Sequence, residues 1–202
     1  GNRPDMLAMA TRSAAHAFVP DLEDSVPPAE KEAARGTVAD ALASLAASGR
    51  PVIPRVNSLE SGLFELDVDA VAGTQIAGIS VGKIRGADDI RRVDSRLASI
   101  EGQRGVPTGT IGILPWIETA AALTRAAEIA KGLGKLGIIW SCNSRANVPF
   151  EYLKIFKDNG LRLLLVGYES GNQEILNNIK KGVRVDIAQE FTKNCKKLGI
   201  II

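Results

Sequence analysis

The chain has 202 residues, of which 45% are hydrophobic and 24% are charged, and its formal net charge is +2. A charge this small gives no reason to expect binding to nucleic acid or to a membrane, and no apolar run approaches the ~20 residues of a membrane helix. The opening GNRPDML lacks the apolar segment of a signal peptide, and Cys142 and Cys195 have no CxxC spacing. We therefore predict a cytoplasmic protein with reduced thiols.

Helix-like and strand-like segments alternate from the N-terminus to about Lys131. Val38, Leu42 and Leu45, for example, are spaced as on one face of a helix, and Pro28 suits its first turn. The predicted helices are Pro4–Ser13, Pro28–Ala47, Leu59–Val71, Ala87–Ile100 and Ala120–Lys131. The predicted strands are Ala17–Asp24, Pro51–Asn57, Ile76–Ile84 and Thr110–Glu118.

The alternation continues after Lys131. The predicted strands here are Leu136–Asn143, Leu161–Ser170 and Gly199–Ile202, and the predicted helices are Pro149–Asp158, Gln173–Lys181 and Asp186–Leu198. The strand from Leu161 is continuously apolar at its start, which is typical of a parallel strand buried on both faces. Seven strands separated by helices predict a parallel α/β sheet with right-handed crossovers.

This repeat predicts a TIM-barrel-like (βα) fold, with parallel strands and outer helices. A TIM barrel has eight strands, so about seven strands predict an incomplete or rearranged barrel in which both terminal strands are cut. Because the local pattern is uniform, we expect a single domain over residues 1–202. An open sheet edge in such a domain would favour a homo-oligomer.

Three of the predicted strands carry polar side chains at their ends, where barrel enzymes place their chemistry. They are Asp21, Glu23 and Asp24 at the end of the first strand, Arg55 and Asn57 at the end of the second, and Glu118 and Thr119 at the end of the fourth. A guanidinium can bind a carboxylate substrate through two parallel hydrogen bonds, and a carboxylate can hold Mg²⁺. Together they could polarise a 2-oxo or 3-hydroxy acid for carbon–carbon cleavage. Solvated loops between strands and helices would give the same pattern.

The segments GNRPDML, VPDLEDSVPPAEKEAAR, PRVNS and ILPWIET lie within residues 1–131. This part of the chain resembles the citrate lyase beta-chain/malyl-CoA lyase (HpcH/HpaI aldolase-like) family of Mg²⁺-dependent barrel enzymes, which make or break 3-hydroxyacyl thioesters. The resemblance implies that Arg55 binds the substrate carboxylate and that Glu118 is a Mg²⁺ ligand. It places Glu23 and Asp24 in the lining of the site and Arg3 near the phosphates of coenzyme A.

The chain departs from this family in three places. It lacks the family's first strand, the second metal-binding aspartate and the C-terminal lid. A single carboxylate is a poor Mg²⁺ site, so the sequence predicts a remnant site with no intact catalytic residues and no bound cofactor, with Mg²⁺ as the alternative.

Composition changes near Lys131, where alanine and arginine give way to asparagine and lysine. The run IIWSCNSRANVPFEYLKIFKDNGLRLLLVGYESGNQEILNNIKKG, with FTKNCKKLGI after it, resembles part of the barrel of cobalamin-binding, hopanoid-associated radical S-adenosylmethionine enzymes. That resemblance implies that Glu169 and Ser170 are remnants of an S-adenosylmethionine site. The cysteine triplet that holds the [4Fe–4S] cluster of that family is absent, so we expect no iron–sulfur cluster.

Three functions follow from these observations. The first is an engineered or recombined chimera of residues 1–131 and 132–202 with no intact active site, whose function is to fold as a scaffold. The second is a Mg²⁺-dependent carbon–carbon lyase that acts on a hydroxyacyl-CoA or a small oxo acid. The third is a non-catalytic binder of coenzyme A or S-adenosylmethionine. We take the chimera as the first hypothesis.

Overall fold

The computed structural model describes residues 1–135, 137 and 139–202. Contacts within the chain divide it into two compact units, Gly1–Leu123 and Thr124–Ile202. The boundary lies before the composition change at Lys131. The expectation that the whole chain packs as a single domain stays a prediction.

The first unit alternates helices with short parallel strands. Its helices are α1 (Pro4–Ala10), α2 (Lys31–Ala46), α3 (Phe64–Val71) and α4 (Ala87–Gln103), and α5 (Ala120–Thr124) begins in it. Its strands are β1 (Arg55–Val56), β2 (Gly78–Val81) and β3 (Gly112–Pro115), which form one parallel sheet in the order β1-β2-β3. Arg55 is aligned with Ser80, and Ser80 with Leu114.

The predicted first strand, Ala17–Asp24, pairs with the segment that contains β1 but does not form a continuous strand. Phe18 and Val52 form one parallel bridge, and Asp21 and Arg55 form another. Between these bridges lies Pro20, whose nitrogen carries no hydrogen and cannot donate to the neighbouring strand. The proline thus explains why the predicted strand is reduced to two isolated bridges.

One hydrophobic core holds the first unit together. Helix α2 buries Ala34, Val38, Leu42 and Leu45, which share one helical face, and all four residues of β2 are buried. A strand with no exposed face is typical of a parallel sheet covered on both sides. This core fixes the strands whose ends carry the polar residues.

The second unit repeats the same pattern around its own core. It contains α6 (Ala126–Lys135), α7 (Phe150–Asp158), α8 (Gln173–Asn178) and α9 (Val185–Lys197). Strands β4 (Trp140–Ser144) and β5 (Leu161–Val166) pair in parallel, and Ile201 makes an isolated parallel bridge with Leu163. Leu153, Leu161, Leu164 and Phe191 are among its buried core residues.

The prediction of about seven strands is wrong for the part of the chain that the structure describes. That part contains five strands in two separate sheets. The two missing strands are Ala17–Asp24, which Pro20 interrupts, and Gly199–Ile202, which makes a single bridge. Leu136 and Ile138, at the start of the predicted strand Leu136–Asn143, lie outside the described residues. The α/β character and the parallel pairing are confirmed.

No helix among the described residues is both long enough and apolar enough to cross a membrane.

Glu101, near the end of α4, is a buried carboxylate that stabilises the turn leading to β3. Its oxygens accept hydrogen bonds from the backbone N–H groups of Gly109, at 2.8 Å, and Ile111, at 2.7 Å. We expect Glu101→Ala to lower the free energy of unfolding by about 2–4 kcal/mol, because one buried and one part-buried donor lose their acceptor and a cavity remains. Urea denaturation followed by circular dichroism measures this change.

The exposed Glu32, on α2, provides the control. Glu32→Ala should change the free energy of unfolding by less than ~0.5 kcal/mol. Equal losses in the two variants would show that the turn does not depend on the buried carboxylate.

Candidate active site

Four segments of the first unit end at the same edge of its sheet. Because the strands are parallel, the residues that follow them lie at one edge. Glu23 and Asp24 come after the bridge at Asp21, Lys83 follows β2 and Glu118 follows β3. Arg55, in β1, is opposite Asp21 in that bridge. This arrangement brings together the four residues predicted as catalytic remnants, namely Glu23, Asp24, Arg55 and Glu118.

Arg55 is surrounded by carboxylates. Its guanidinium donates to a carboxylate oxygen of Glu23 and to Asp24 Oδ2 at 2.7 Å, and it lies 3.7 Å from Asp21 Oδ2. The Trp116 ring covers it, with the guanidinium carbon 4.8 Å from the ring centroid. Its hydrogen bond holds the pKa of the Asp24 carboxyl below the usual range. Arg55 therefore holds together an acidic loop that would otherwise repel itself.

Glu23 and Glu118 approach each other at Gly82. A β-carbon added at Gly82 would lie 3.0 Å from Glu118 Oε1 and 3.7 Å from both carboxylate oxygens of Glu23. The side chain of Glu23 is only 4% exposed, whereas Glu118 is exposed. The absence of a side chain at Gly82 is what leaves room for both carboxylates.

Lys83 contacts both of these carboxylates and was missed by the sequence analysis. Its backbone N–H donates to Glu118 Oε1 at 3.0 Å, and its ammonium donates to Glu23 Oε1 at 2.5 Å. The hydrogen bond to Glu23 raises the pKa of Lys83 above its usual value. A signal was present, because Gly82-Lys83 directly follows the buried part of the predicted strand Ile76–Ile84, at the same kind of position as Arg55 and Glu118.

A second network lies beneath the acidic loop. The buried Asp67 accepts hydrogen bonds from the backbone N–H and side-chain amide of Asn57, at 2.8 and 2.6 Å. Lys31 donates to Asn57 Oδ1 and to the carbonyl oxygens of Leu22 and Glu23. These bonds fix the backbone that carries Glu23. Its carboxylate is therefore positioned by this network as well as by Arg55.

A concave pocket of about 310 Å³ opens beside this group. Its lining includes the acidic residues Glu23 and Asp24, the basic residues Lys31 and Lys83, and Asn57. A pocket of this size, lined by charged groups of both signs, suits a small polar ligand.

The residues at this edge suit Mg²⁺ better than a metal ion that takes all of its ligands from the protein. Among the described residues, no three His, Cys, Asp or Glu side chains are grouped to hold a metal ion. Mg²⁺ commonly takes one or two carboxylates and leaves its other positions to water and substrate. Glu118 and Glu23, which converge at Gly82, provide such a pair, so the donor set fits this ion.

The three residues predicted as cofactor-binding remnants make contacts of their own. Arg3 is exposed and donates to Asp5. In the second unit, Glu169 pairs with Lys181 at 2.7 Å, and the Ser170 hydroxyl accepts from the backbone N–H of Asn172 at 3.0 Å. Their assignment to coenzyme A or S-adenosylmethionine stays a prediction.

The HpcH/HpaI aldolase/citrate lyase family matches residues 1–141. The chain belongs to this family, which confirms the first of the two resemblances predicted from the sequence. The match extends past Glu118, so it covers the whole candidate site.

Known relatives agree with this assignment. A citrate lyase subunit beta-like protein of Deinococcus radiodurans is 40% identical over 133 residues, which is 64% of this chain and 44% of that protein. The L-malyl-CoA/beta-methylmalyl-CoA lyase of Cereibacter sphaeroides is 31% identical over 139 residues, or 67% and 43%. The chain spans less than half the length of the curated relatives it matches.

A solved structure shows the same type of fold. The citrate lyase beta subunit of M. tuberculosis, complexed with oxaloacetate and magnesium, superposes with a TM-score of 0.52 at 20% identity, covering 100% of this chain and 85% of that one. At this identity the likeness concerns the fold alone.

The hypothesis of a scaffold whose only function is to fold is wrong. The family match and the lyase relatives favour the second of the three hypotheses over the first. Segments that the sequence lacks do not imply loss of the site, because the residues present form a connected group. The interpretation as an engineered chimera finds no support in these matches.

The low pKa of Asp24 can be tested directly. A carboxyl whose folded-state pKa is lowered stabilises the fold above its unfolded value, near 3.9, and this contribution is lost as the pH falls through the lower folded value. We expect carboxyl NMR to show Asp24 titrating below its usual range in the native chain. In Arg55→Ala its pKa should rise toward the ordinary value, because the main hydrogen-bond donor is gone.

Arg91→Ala serves as the control, since Arg91 pairs with Asp88 on the exposed face of α4. An Asp24 titration that is the same in Arg55→Ala as in the native chain would contradict the assignment of Arg55 as its partner.

Proposed function

We propose that this chain carries the site of a Mg²⁺-dependent carbon–carbon lyase that acts on a hydroxyacyl-CoA or a small oxo acid. The main support is the convergence of Glu23 and Glu118 at Gly82, directly beside Arg55, in a chain of the HpcH/HpaI family. The relatives include an L-malyl-CoA/beta-methylmalyl-CoA lyase, which indicates the substrate class.

Arg55 is the proposed anchor for the substrate carboxylate. Its Nε is buried and has no hydrogen-bond partner among the described residues. A buried unpaired donor costs about 1–3 kcal/mol, so an anionic group that reached this nitrogen would be favoured. The Trp116 ring and the acidic loop hold the guanidinium in one orientation, which limits the entropy lost on binding.

Glu118 is the proposed main Mg²⁺ ligand, with Glu23 as the second carboxylate. A bound Mg²⁺ would polarise a carbonyl oxygen and stabilise negative charge that develops on it during carbon–carbon cleavage. The chain itself orients Glu118 through the backbone N–H of Lys83 and holds Glu23 through Arg55 and Lys83. Asp24 stays ionised over a wide pH range because of its contact with Arg55. The positive side chains at this edge would then attract an anionic substrate.

The test of this function measures Mg²⁺-dependent release of acyl-CoA from L-malyl-CoA. We expect turnover that requires Mg²⁺ and that falls by about 100-fold in Arg55→Ala and in Glu118→Gln, because each loses a charged contact to the reacting group. Arg55→Lys should retain only part of the activity, since an ammonium lacks the planar fork of a guanidinium. Arg91→Ala should behave like the native chain.

Two further results would contradict the proposal. One is an absence of calorimetrically detectable Mg²⁺ binding by the native chain. The other is turnover that persists undiminished in Arg55→Ala.

A glycine pair tests the geometry of the two carboxylates. In Gly82→Ala the new methyl group would lie 3.0 Å from Glu118 Oε1, so the carboxylate must move. We expect Mg²⁺ affinity to fall by about tenfold, measured by calorimetry, because one of two charged ligands is displaced.

The control is Gly36→Ala, in the interior of α2, where the new methyl group meets nothing within 4 Å. It should raise the free energy of unfolding by about 0.5–1 kcal/mol and leave Mg²⁺ binding unchanged. Equal Mg²⁺ affinity in both variants would argue against Gly82 as the point of convergence.

For residues 137–202, the resemblance to radical S-adenosylmethionine enzymes remains a prediction, and we propose no activity for Glu169 and Ser170.

A further inference from the structure

Two basic side chains line the pocket, Lys31 and Lys83, and Arg55 pairs with the acidic residues Glu23 and Asp24 of that lining. The Lys31 ammonium has three acceptors: Leu22 O at 2.7 Å, Glu23 O at 2.6 Å and Asn57 Oδ1 at 2.9 Å. An ammonium has three N–H groups, so Lys31 is saturated by the fold. The Arg55 side chain is only 14% exposed and donates to the acidic loop through one terminal nitrogen, while its Nε has no partner among the described residues.

Lys83 is more exposed to solvent than Lys31, the other basic residue in the lining of this pocket. Its side chain is 51% exposed, and its ammonium lies 2.5 Å from Glu23 Oε1 and 3.5 Å from Asp24 Oδ1. The second of these distances is long for a charge-assisted hydrogen bond. Lys83 therefore has donor capacity that faces the pocket and is not committed to the fold.

The backbone of Lys83 is also unusual. Its φ of +59° lies in the left-handed region, which is uncommon for a residue other than glycine. In this conformation one residue reaches two carboxylates, Glu118 through the backbone N–H and Glu23 through the ammonium. Non-glycine residues held in this region are concentrated at functional sites.

We propose that Lys83 couples binding of the divalent cation to binding of the substrate's carboxylate. This inference rests on the proposed function. While no cation is bound, the ammonium balances the charge of Glu23. When a divalent cation takes Glu23 as a ligand, the ammonium is released and becomes a contact for an anionic group in the pocket.

The charges at this edge explain why the two events depend on each other. Arg55, Lys31 and Lys83 balance Asp21, Glu23 and Asp24, and Glu118 leaves one negative charge in excess. This excess opposes binding of a carboxylate before the cation arrives, and a divalent ion reverses its sign. An ammonium next to a divalent cation is repelled by it, which favours its movement toward an anion.

The variant Lys83→Gly removes the ammonium and keeps the backbone N–H, so it tests the two contacts separately. Glycine adopts a positive φ without strain and keeps the N–H that donates to Glu118, so Glu118 should stay oriented. The matched control is Lys154→Gln, which removes the same charge from an exposed pair with Asp158 on α7. The probes are Mn²⁺, whose binding is measured by electron paramagnetic resonance, and pyruvate, whose binding is measured by calorimetry at saturating Mg²⁺.

We expect Lys83→Gly to bind Mn²⁺ about threefold to tenfold more tightly than the native chain, because a competing and repelling positive charge is gone. We expect the same variant to bind pyruvate about tenfold more weakly at saturating Mg²⁺, because an ammonium–carboxylate contact is lost. Lys154→Gln should change neither affinity.

The possible failures are distinguishable. If Lys83→Gly binds Mn²⁺ with equal or lower affinity, or binds pyruvate as the native chain does, the coupling role of Lys83 is overturned and the lyase proposal stands. If neither the native chain nor the variant binds Mn²⁺, both proposals fall.

Discussion

The pairing of Arg55 with the acidic loop is the interaction on which the rest of the site depends. Asp21, Glu23 and Asp24 lie within four residues of sequence, and all three face one guanidinium. Without that positive charge, their mutual repulsion would favour an open loop. With it, Glu23 is held in a buried position from which it can meet Glu118. The site is thus assembled by charge neutralisation at the edge of a sheet that the apolar core has already fixed.

Parallel strand pairing places the opposite charges next to each other. Arg55 and Asp21 are opposite each other in a bridge, and the residues after β2 and β3 follow at the same edge. Hydrogen bonding between the strands therefore sets which charged side chains become neighbours, although those residues are far apart in sequence. Pro20 interrupts the first of these pairings without altering its register, because the bridges on both sides of it keep the same offset. The loop that follows therefore still reaches Arg55.

The sequence was informative about local pattern and about the identity of the strand-end residues. Helical spacing predicted α2 and α4, and the position of Arg55, Glu23 and Glu118 after apolar strands predicted that they would meet. It could not show that a proline would reduce a predicted strand to two bridges, since this depends on which N–H the neighbouring strand requires. Nor could it show Lys83 reaching both carboxylates, because a positive φ at a lysine follows from its tertiary surroundings and not from its residue type.

Gly82 and Lys83 show how two adjacent residues can control one group of charges. Gly82 contributes by lacking a side chain, which allows Glu118 and Glu23 to approach the same point. Lys83 contributes by turning its backbone into the left-handed region, which directs an N–H toward one carboxylate and an ammonium toward the other. A larger residue at the first position would separate the carboxylates, and an ordinary backbone at the second would lose one of the two contacts. The close approach of the carboxylates is therefore determined by the turn after β2 as much as by the acidic residues themselves.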